Sequence, residues 1–407
     1  MPDTDVRYDP LAPGYFDDPY AQMAELRAHR PVYPTPLGSW MLFRYDDVFR
    51  LLRDPSLSVD DRNATVRAAA DRYEQLTGRP RRVNRSMLFL DPPDHDRLRR
   101  LVSQAFTPRA IERLRPRVQV MVDEHLDRAE TAAHDGEIDL IAALAFPLPF
   151  QVISEMLGIP EEDADLIRGW SDALVKTLDP INSDDELLAA AAAAEHMTAH
   201  LDGVIAAKRA ALGDDLLSGM ILAEEDGDRL TAQELATQVQ LLYVAGHETT
   251  VNLIGNGTRA LLSHRDQWEL LGAEPGRIAE AVDELLRFDP PVQISGRITT
   301  ADTVIGGEEI PRGSFVAAVL ASANRDAAKW GPTADRLDIT REGAGQHVSF
   351  GSGVHYCLGA SLARLEAQVA IATFVRRYPD AELVPGPTAW NGRINLRGLE
   401  RLPVRLG

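Results

Sequence analysis

Phe350-Gly351-Ser352-Gly353-Val354-His355-Tyr356-Cys357-Leu358-Gly359-Ala360 holds the only cysteine of the chain, together with three glycines within nine residues. Such a run gives a loop whose backbone turns sharply and lies close to a flat partner with no side chain in the way. From Leu358 the apolar spacing Leu358, Leu362, Leu365, Val369, Ile371, Phe374 predicts a helix that Pro379 stops. Cys357 then stands at a helix N-terminus, where unpaired amides and the helix dipole favour a thiolate, a good axial ligand for iron. A lone cysteine is also, by residue type, a small buried hydrophobe. A dinucleotide-binding turn is excluded, because Tyr356 takes the place of the third glycine and residues 346–349 make a poor buried strand.

A second unusual stretch lies on a long helix. Thr231 and Glu234 form a capping box, and apolar residues recur from Leu235 to Leu262, predicting a helix of about 30 residues and roughly 45 Å. Its middle reads Ala245-Gly246-His247-Glu248-Thr249-Thr250. A helix-interior glycine costs about 1 kcal/mol, and a buried glutamate costs more unless paired. Thr249 is placed to bond its hydroxyl to the Ala245 carbonyl and loosen the ladder beside a small ligand or water. A zinc-protease helix is excluded, because Val251 stands where its second histidine belongs. A helix kink with satisfied polar groups is the plainer alternative.

Phe350, Gly353, His355, Cys357 and Gly359 resemble the haem-binding loop of the cytochrome P-450 family, and residues 245–249 resemble that family's oxygen-activation groove. The resemblance extends to Glu284 and Arg287 as a buried Glu-x-x-Arg pair completed by Arg336, although Ala334 and Leu337 replace the usual proline and phenylalanine. It covers residues 15–407. It implies a mainly α fold with a small β region, the triangular-prism P-450 fold, as one domain over 1–407. The α-rich parts are expected at about 95–290 and 355–378, the β-rich parts at about 30–44, 291–325 and 381–407. Residue periodicity agrees, with short helices at 19–29 and 46–52 and strands beyond Pro290 around a Gly306-Gly307 hairpin turn.

The same resemblance implies haem b with Cys357 as axial ligand. Its cofactor contacts would be His95, Arg99, Ala245, Arg297, Phe350, Gly351, His355 and Gly359. Glu248 and Thr249 would relay protons. Leu241, Val244, Ala245, Val292, Ile294 and Asn395 would wall the substrate pocket. Taken alone, His95 and Arg99 read as a solvated helix face behind the start signal at residues 91–94, and the resemblance reverses this. The arginine-rich segment 54–94 reads as a pocket cover by resemblance, or as a solvated arm.

The implied activity is insertion of one oxygen atom from O2 into a hydrophobic small molecule, with natural-product metabolism suggested by the wording of residues 245–254. Oxidative C–C or C–O coupling, a peroxide-driven enzyme and a non-catalytic haem protein are the rival readings. The chain has no flavin or iron–sulfur segment, so the resemblance implies electrons from a ferredoxin and its reductase, docking at Arg97, Arg100, Arg109, Arg113 and Arg364. A net charge of −19 argues against nucleic-acid or anionic-membrane partners. No apolar run reaches the ~18 residues of a membrane span and residues 1–10 lack a basic, then apolar, leader, so a cytoplasmic protein is expected.

Overall fold

The computed structural model describes residues 6–79, 86–103, 106–159, 163–225 and 228–407. Arg81, Arg82 and Arg85 of the arginine-rich segment lie outside the described residues. The chain divides into two compact units, each assembled from separated stretches. The first comprises Met1–Val66, Asn252–Cys357 and Phe374–Gly407; the second comprises Arg67–Val251 and Leu358–Thr373.

The first unit is built on a five-stranded sheet in the order Val32–Pro34, Trp40–Leu42, Phe315–Val319, Ile294–Thr299, Leu57–Ser58. Trp40–Leu42 runs parallel to Phe315–Val319, with Ala318 opposite Leu42, and the other pairs are antiparallel. Side chains alternate across a strand, and here both faces are buried. Val32, Leu42, Val316 and Ala318 pack with Tyr45, Val48, Leu51 and Leu52 of the helix Tyr45–Arg53. Tyr33, Met41, Ala317 and Val319 pack with Met23 and Leu26 of the helix Pro19–His29. Each such Leu or Val contributes roughly 1.5–3 kcal/mol by leaving water. The Gly306-Gly307 turn joins Thr303–Ile305 to Glu308–Ile310 as expected, with φ of +59° and +92°.

The second unit is mainly helical. Ala164–Lys176 packs along Asp184–Ala210, and Ala232–Gly246 packs against both. Capping boxes at Ser183/Glu186 and Thr231/Glu234 start the two longer helices of this group. The alanine run serves tight packing, since Ala190 and Ala193 face inward with Met197 and Leu201. The expected mainly helical architecture with a small β region is observed. The helix read over residues 231–262, with its ladder loosened near 245–250, is two helices, Ala232–Gly246 and Glu248–Ser263, with His247 between them.

The helix Ile278–Phe288 carries Glu284 and Arg287, both 0% exposed. Arg287 bonds both Glu284 oxygens at 2.7 and 2.8 Å and donates to the carbonyls of Asn324, Ala334 and Arg336. The expected third guanidinium, Arg336, is exposed and gives only its carbonyl; the one that reaches Glu284 is Arg341, at 3.2 Å. Ala334 and Leu337 turn into the core here and leave residue 336 pointing outward, and the Asp338–Thr340 turn then brings Arg341 back in. Replacing Arg341 by alanine strips a buried carboxylate of one partner and is expected to destabilise the protein by roughly 3 kcal/mol. Arg336→Ala keeps the carbonyl and should stay within about 0.5 kcal/mol. Urea unfolding of the two variants checks the difference.

Candidate functional site

In the first unit the cysteine loop is held from both sides. Val348 N donates to Asn324 Oδ1, Asn324 Nδ2 to Ser349 Oγ, and Ser349 Oγ to the Leu286 carbonyl. Beyond Phe350 the chain doubles back so that Cys357 N meets the Phe350 carbonyl at 2.9 Å. Gly353 makes this possible, since it sits at φ +72° and a Cβ there would lie 2.7 Å from the Leu52 carbonyl oxygen. Cys357 is exposed. It is therefore no packed core thiol, and the helix Ala360–Arg377 begins three residues later.

Arg297, 5% exposed, donates to the Gly296 carbonyl at 2.8 Å and reaches the same Leu52 carbonyl at 3.4 Å. A buried guanidinium suits an anionic partner. Val292, Ile294 and Asn395 are brought together: Val292 bridges Leu396, and Gln293 N and Ile294 N donate to the Asn395 carbonyl and Oδ1. All three are half-buried.

In the second unit Ala245 and Gly246 are exposed although Leu242, Tyr243, His247 and Thr250 around them are buried. A Cβ on Gly246 would meet no heavy atom within 4 Å. Here the helix offers bare backbone to a partner. Thr249 Oγ1 donates to the Ala245 carbonyl at 2.9 Å, as expected, and Thr250 Oγ1 repeats the bond to Gly246 at 3.0 Å. Leu241, Val244, Glu248 and Thr249 are half-buried.

On the helix Asp94–Ser103, His95 is buried, with Nδ1 oriented by Asp96 at 2.8 Å, and Arg99 is half-buried one turn on. Their burial rules out the plain solvated face. Arg97, expected in a docking patch, is held instead by Asp228 and Glu234. Its charge is neutralised within the unit. Arg100, Arg109 and Arg113 are exposed and Arg364 is half-buried.

Among the buried ionisable groups to which the sequence reading gave no role are His247 and Glu366. His247 is 1% exposed, and burial lowers its pKa to about 4. Glu366 is 2% exposed with Oε2 lacking a hydrogen-bond partner, and burial raises its pKa to about 8. Glu366 falls four residues after Leu362 on the buried stripe, so a carboxyl on an apolar face was the available signal. The folded protein keeps Glu366 protonated while the unfolded chain ionises it above its ordinary value of 4.5. Its contribution to stability is therefore fully present below that value and falls as pH rises towards 8. Glu366→Gln should flatten this decline, raising stability at pH 8 relative to pH 5 by at most about 4 kcal/mol, as read by guanidinium unfolding at the two pH values.

Each unit thus presents features that fit haem: an exposed thiol and a buried guanidinium in the first, bare helix backbone and a buried imidazole in the second. The family description "Cytochrome P450" matches residues 62–274 and 278–386. The chain is 43% identical to cytochrome P450 monooxygenase PikC of Streptomyces venezuelae, over 97% of this chain and 92% of that protein. It is 42% identical to the vitamin D(3) 25-hydroxylase of Pseudonocardia autotrophica, over 98% and 97%. The solved structure of the bacillaene polyketide synthase cytochrome P450 PksS of Bacillus subtilis superposes with a TM-score of 0.88 at 36% identity, covering 98% of this chain and all of that one. Among the described residues no helix is long and apolar enough to cross a membrane. The chain belongs to the cytochrome P450 family, as an oxygen-incorporating oxidoreductase whose haem b takes the thiolate of Cys357 as its axial ligand.

Proposed function

We propose that this P450 hydroxylates a hydrophobic natural-product molecule in the cytoplasm, with electrons from a ferredoxin and its reductase and the whole chain, 1–407, acting as one catalytic domain. PikC, PksS and a 6-deoxyerythronolide B hydroxylase, at 37–43% identity, support the substrate class. The observation that carries the reading is the opened helix at Ala245–Thr250, where two hydroxyls take over backbone carbonyls beside exposed backbone. A carrier protein has no use for this costly arrangement.

The haem supplies activation of O2, so that one oxygen atom enters the substrate and the other leaves as water with two electrons and two protons. The polypeptide's part is binding and proton handling. Cys357 holds the iron, with the loop of Phe350, Gly351, His355 and Gly359 around it. Arg297, His95 and Arg99 balance the propionates, charge-assisted bonds worth about twice a neutral one. Glu248 takes protons from solvent and Thr249 presents its hydroxyl to receive them, a donor chain placed before chemistry begins. Leu241 and Val244 give the second unit, and Val292 and Ile294 the first, an apolar wall with few polar handles, which suits an apolar substrate. Asn395 stiffens that wall through its bond to Ile294 N. Glu284, Arg287 and Arg341 act structurally, behind the cysteine loop.

Ferredoxin approach is assigned to Arg100, Arg109, Arg113 and Arg364, without Arg97. With a candidate substrate, reductant and 18O2, one labelled atom should appear in the product; unlabelled coupled product would favour the coupling oxidase instead. Thr249→Ala should keep substrate binding within about twofold but lower product formed per O2 consumed by about tenfold or more. Unchanged coupling in that variant contradicts the proton role of Thr249.

A further inference from the structure

We infer that His247 is a positioning residue for the Glu248–Thr249 pair, fixing the break in the long helix through a hydrogen bond from its Nε2 to the Phe146 carbonyl. This rests on the role proposed above for Glu248 and Thr249. It adds a residue to which that role assigns nothing.

The backbone shows what must be held. His247 N reaches the Tyr243 carbonyl at a long 3.3 Å. Thr250 N turns to the His247 carbonyl at 3.0 Å, three residues back, and Val251 N shares that carbonyl at 3.1 Å. The His247 carbonyl is thus the first acceptor of the second helix. Around it, the carbonyls of Ala245 and Gly246 bond threonine hydroxyls. A ladder opened at this point has several nearly equivalent closures, and a plain α-helical one would carry Glu248 and Thr249 elsewhere.

The His247 ring selects one of them. Its Nε2 lies 3.2 Å from the Phe146 carbonyl, and its face meets the edges of Phe146 and Phe150 at centroid distances of 4.6 and 5.5 Å, both near 85°. The Arg168 guanidinium lies over both rings, at 4.9 and 5.4 Å. The acceptor comes from an irregular element: Ile141–Ala145 is a π-turn, closed by Phe146 N to the Ile141 carbonyl at 2.9 Å. Such turns recur at functional sites.

A carbonyl only accepts, so Nε2 carries the ring hydrogen and Nδ1 keeps a lone pair, which finds no partner among the described residues. Burial and the nearby Arg168 charge hold the ring neutral well below pH 7. It cannot store a proton for the reaction. What remains is orientation, and catalytic groups tolerate displacements of only about 0.5 Å.

Three variants decide the matter. Glutamine places an amide N–H at the depth of Nε2, asparagine stops one methylene short, and phenylalanine packs without a donor. Hydrogen exchange of the 243–251 peptide in haem-loaded protein should be unchanged in His247→Gln and faster by about tenfold in His247→Asn and His247→Phe. Product per O2 should follow the same order, near wild type for the first and several-fold lower for the others. Should the phenylalanine variant fail to retain haem, the glutamine–asparagine comparison decides alone. Exchange and coupling equal to wild type in His247→Asn, or His247→Gln no better than His247→Asn, overturns the inference. Thr249→Ala run alongside separates the two ideas: if it leaves coupling intact the proton pair is wrong, while the exchange data still judge His247.

Discussion

A carboxylate with no exposed surface must be answered by cations and N–H groups, and Glu284 is answered from its own helix and from the 338–341 stretch. Arg287 on its own helix, Arg341 and the Asp338 amide converge on its two oxygens. Arg287 in turn ties down the carbonyls of Asn324, Ala334 and Arg336. Leaving any of these groups unpaired in a dry interior costs several kcal/mol, so the segments have little freedom to drift. Asn324 then fixes Val348 and Ser349, and the loop that carries Cys357 starts from a backbone already immobile. The sulfur is thereby placed by contacts made elsewhere in the unit.

The helix break in the second unit solves a related problem by other means. Polar backbone is made available near exposed helix surface, yet no carbonyl there is abandoned, because Thr249 and Thr250 supply hydroxyls and His247 supplies a ring donor further along. The arrangement sacrifices helix stability for chemistry, as functional sites commonly do. Its supports are the Phe146 and Phe150 rings, the Arg168 guanidinium over them and one neutral imidazole.

What could be read in the sequence was what is encoded locally. The cysteine loop declares itself through glycines whose positive φ and close packing no other residue allows, and the Thr249 back-bond follows from helix geometry alone. The capping boxes and the hairpin at Gly306-Gly307 are equally short-range. What escaped depends on distant partners. Arg336 was taken as the third guanidinium, and Arg341 was not considered, because motif spacing cannot say which side chain a turn points inward. Arg97 looked free, since Asp228 and Glu234 lie 131 and 137 residues away. The interruption near residues 245–250 showed in its glycine and back-bonding threonine, but the contact that holds the His247 ring did not, because its partner Phe146 is 101 residues distant. Glu366 was legible as a carboxyl on an apolar stripe, though its protonation depends on tertiary burial.

The central claim is that sulfur from Cys357 holds the haem iron, and optical spectroscopy of the reduced carbon monoxide complex tests it most directly. Freshly prepared, haem-loaded protein should show the strongly red-displaced Soret band of a thiolate-ligated complex, and Cys357→Ser should lose that band while the rest of the fold persists by circular dichroism. A fully loaded wild-type protein showing only the shorter-wavelength band of nitrogen ligation, or a serine variant that keeps the displaced band, would contradict the account.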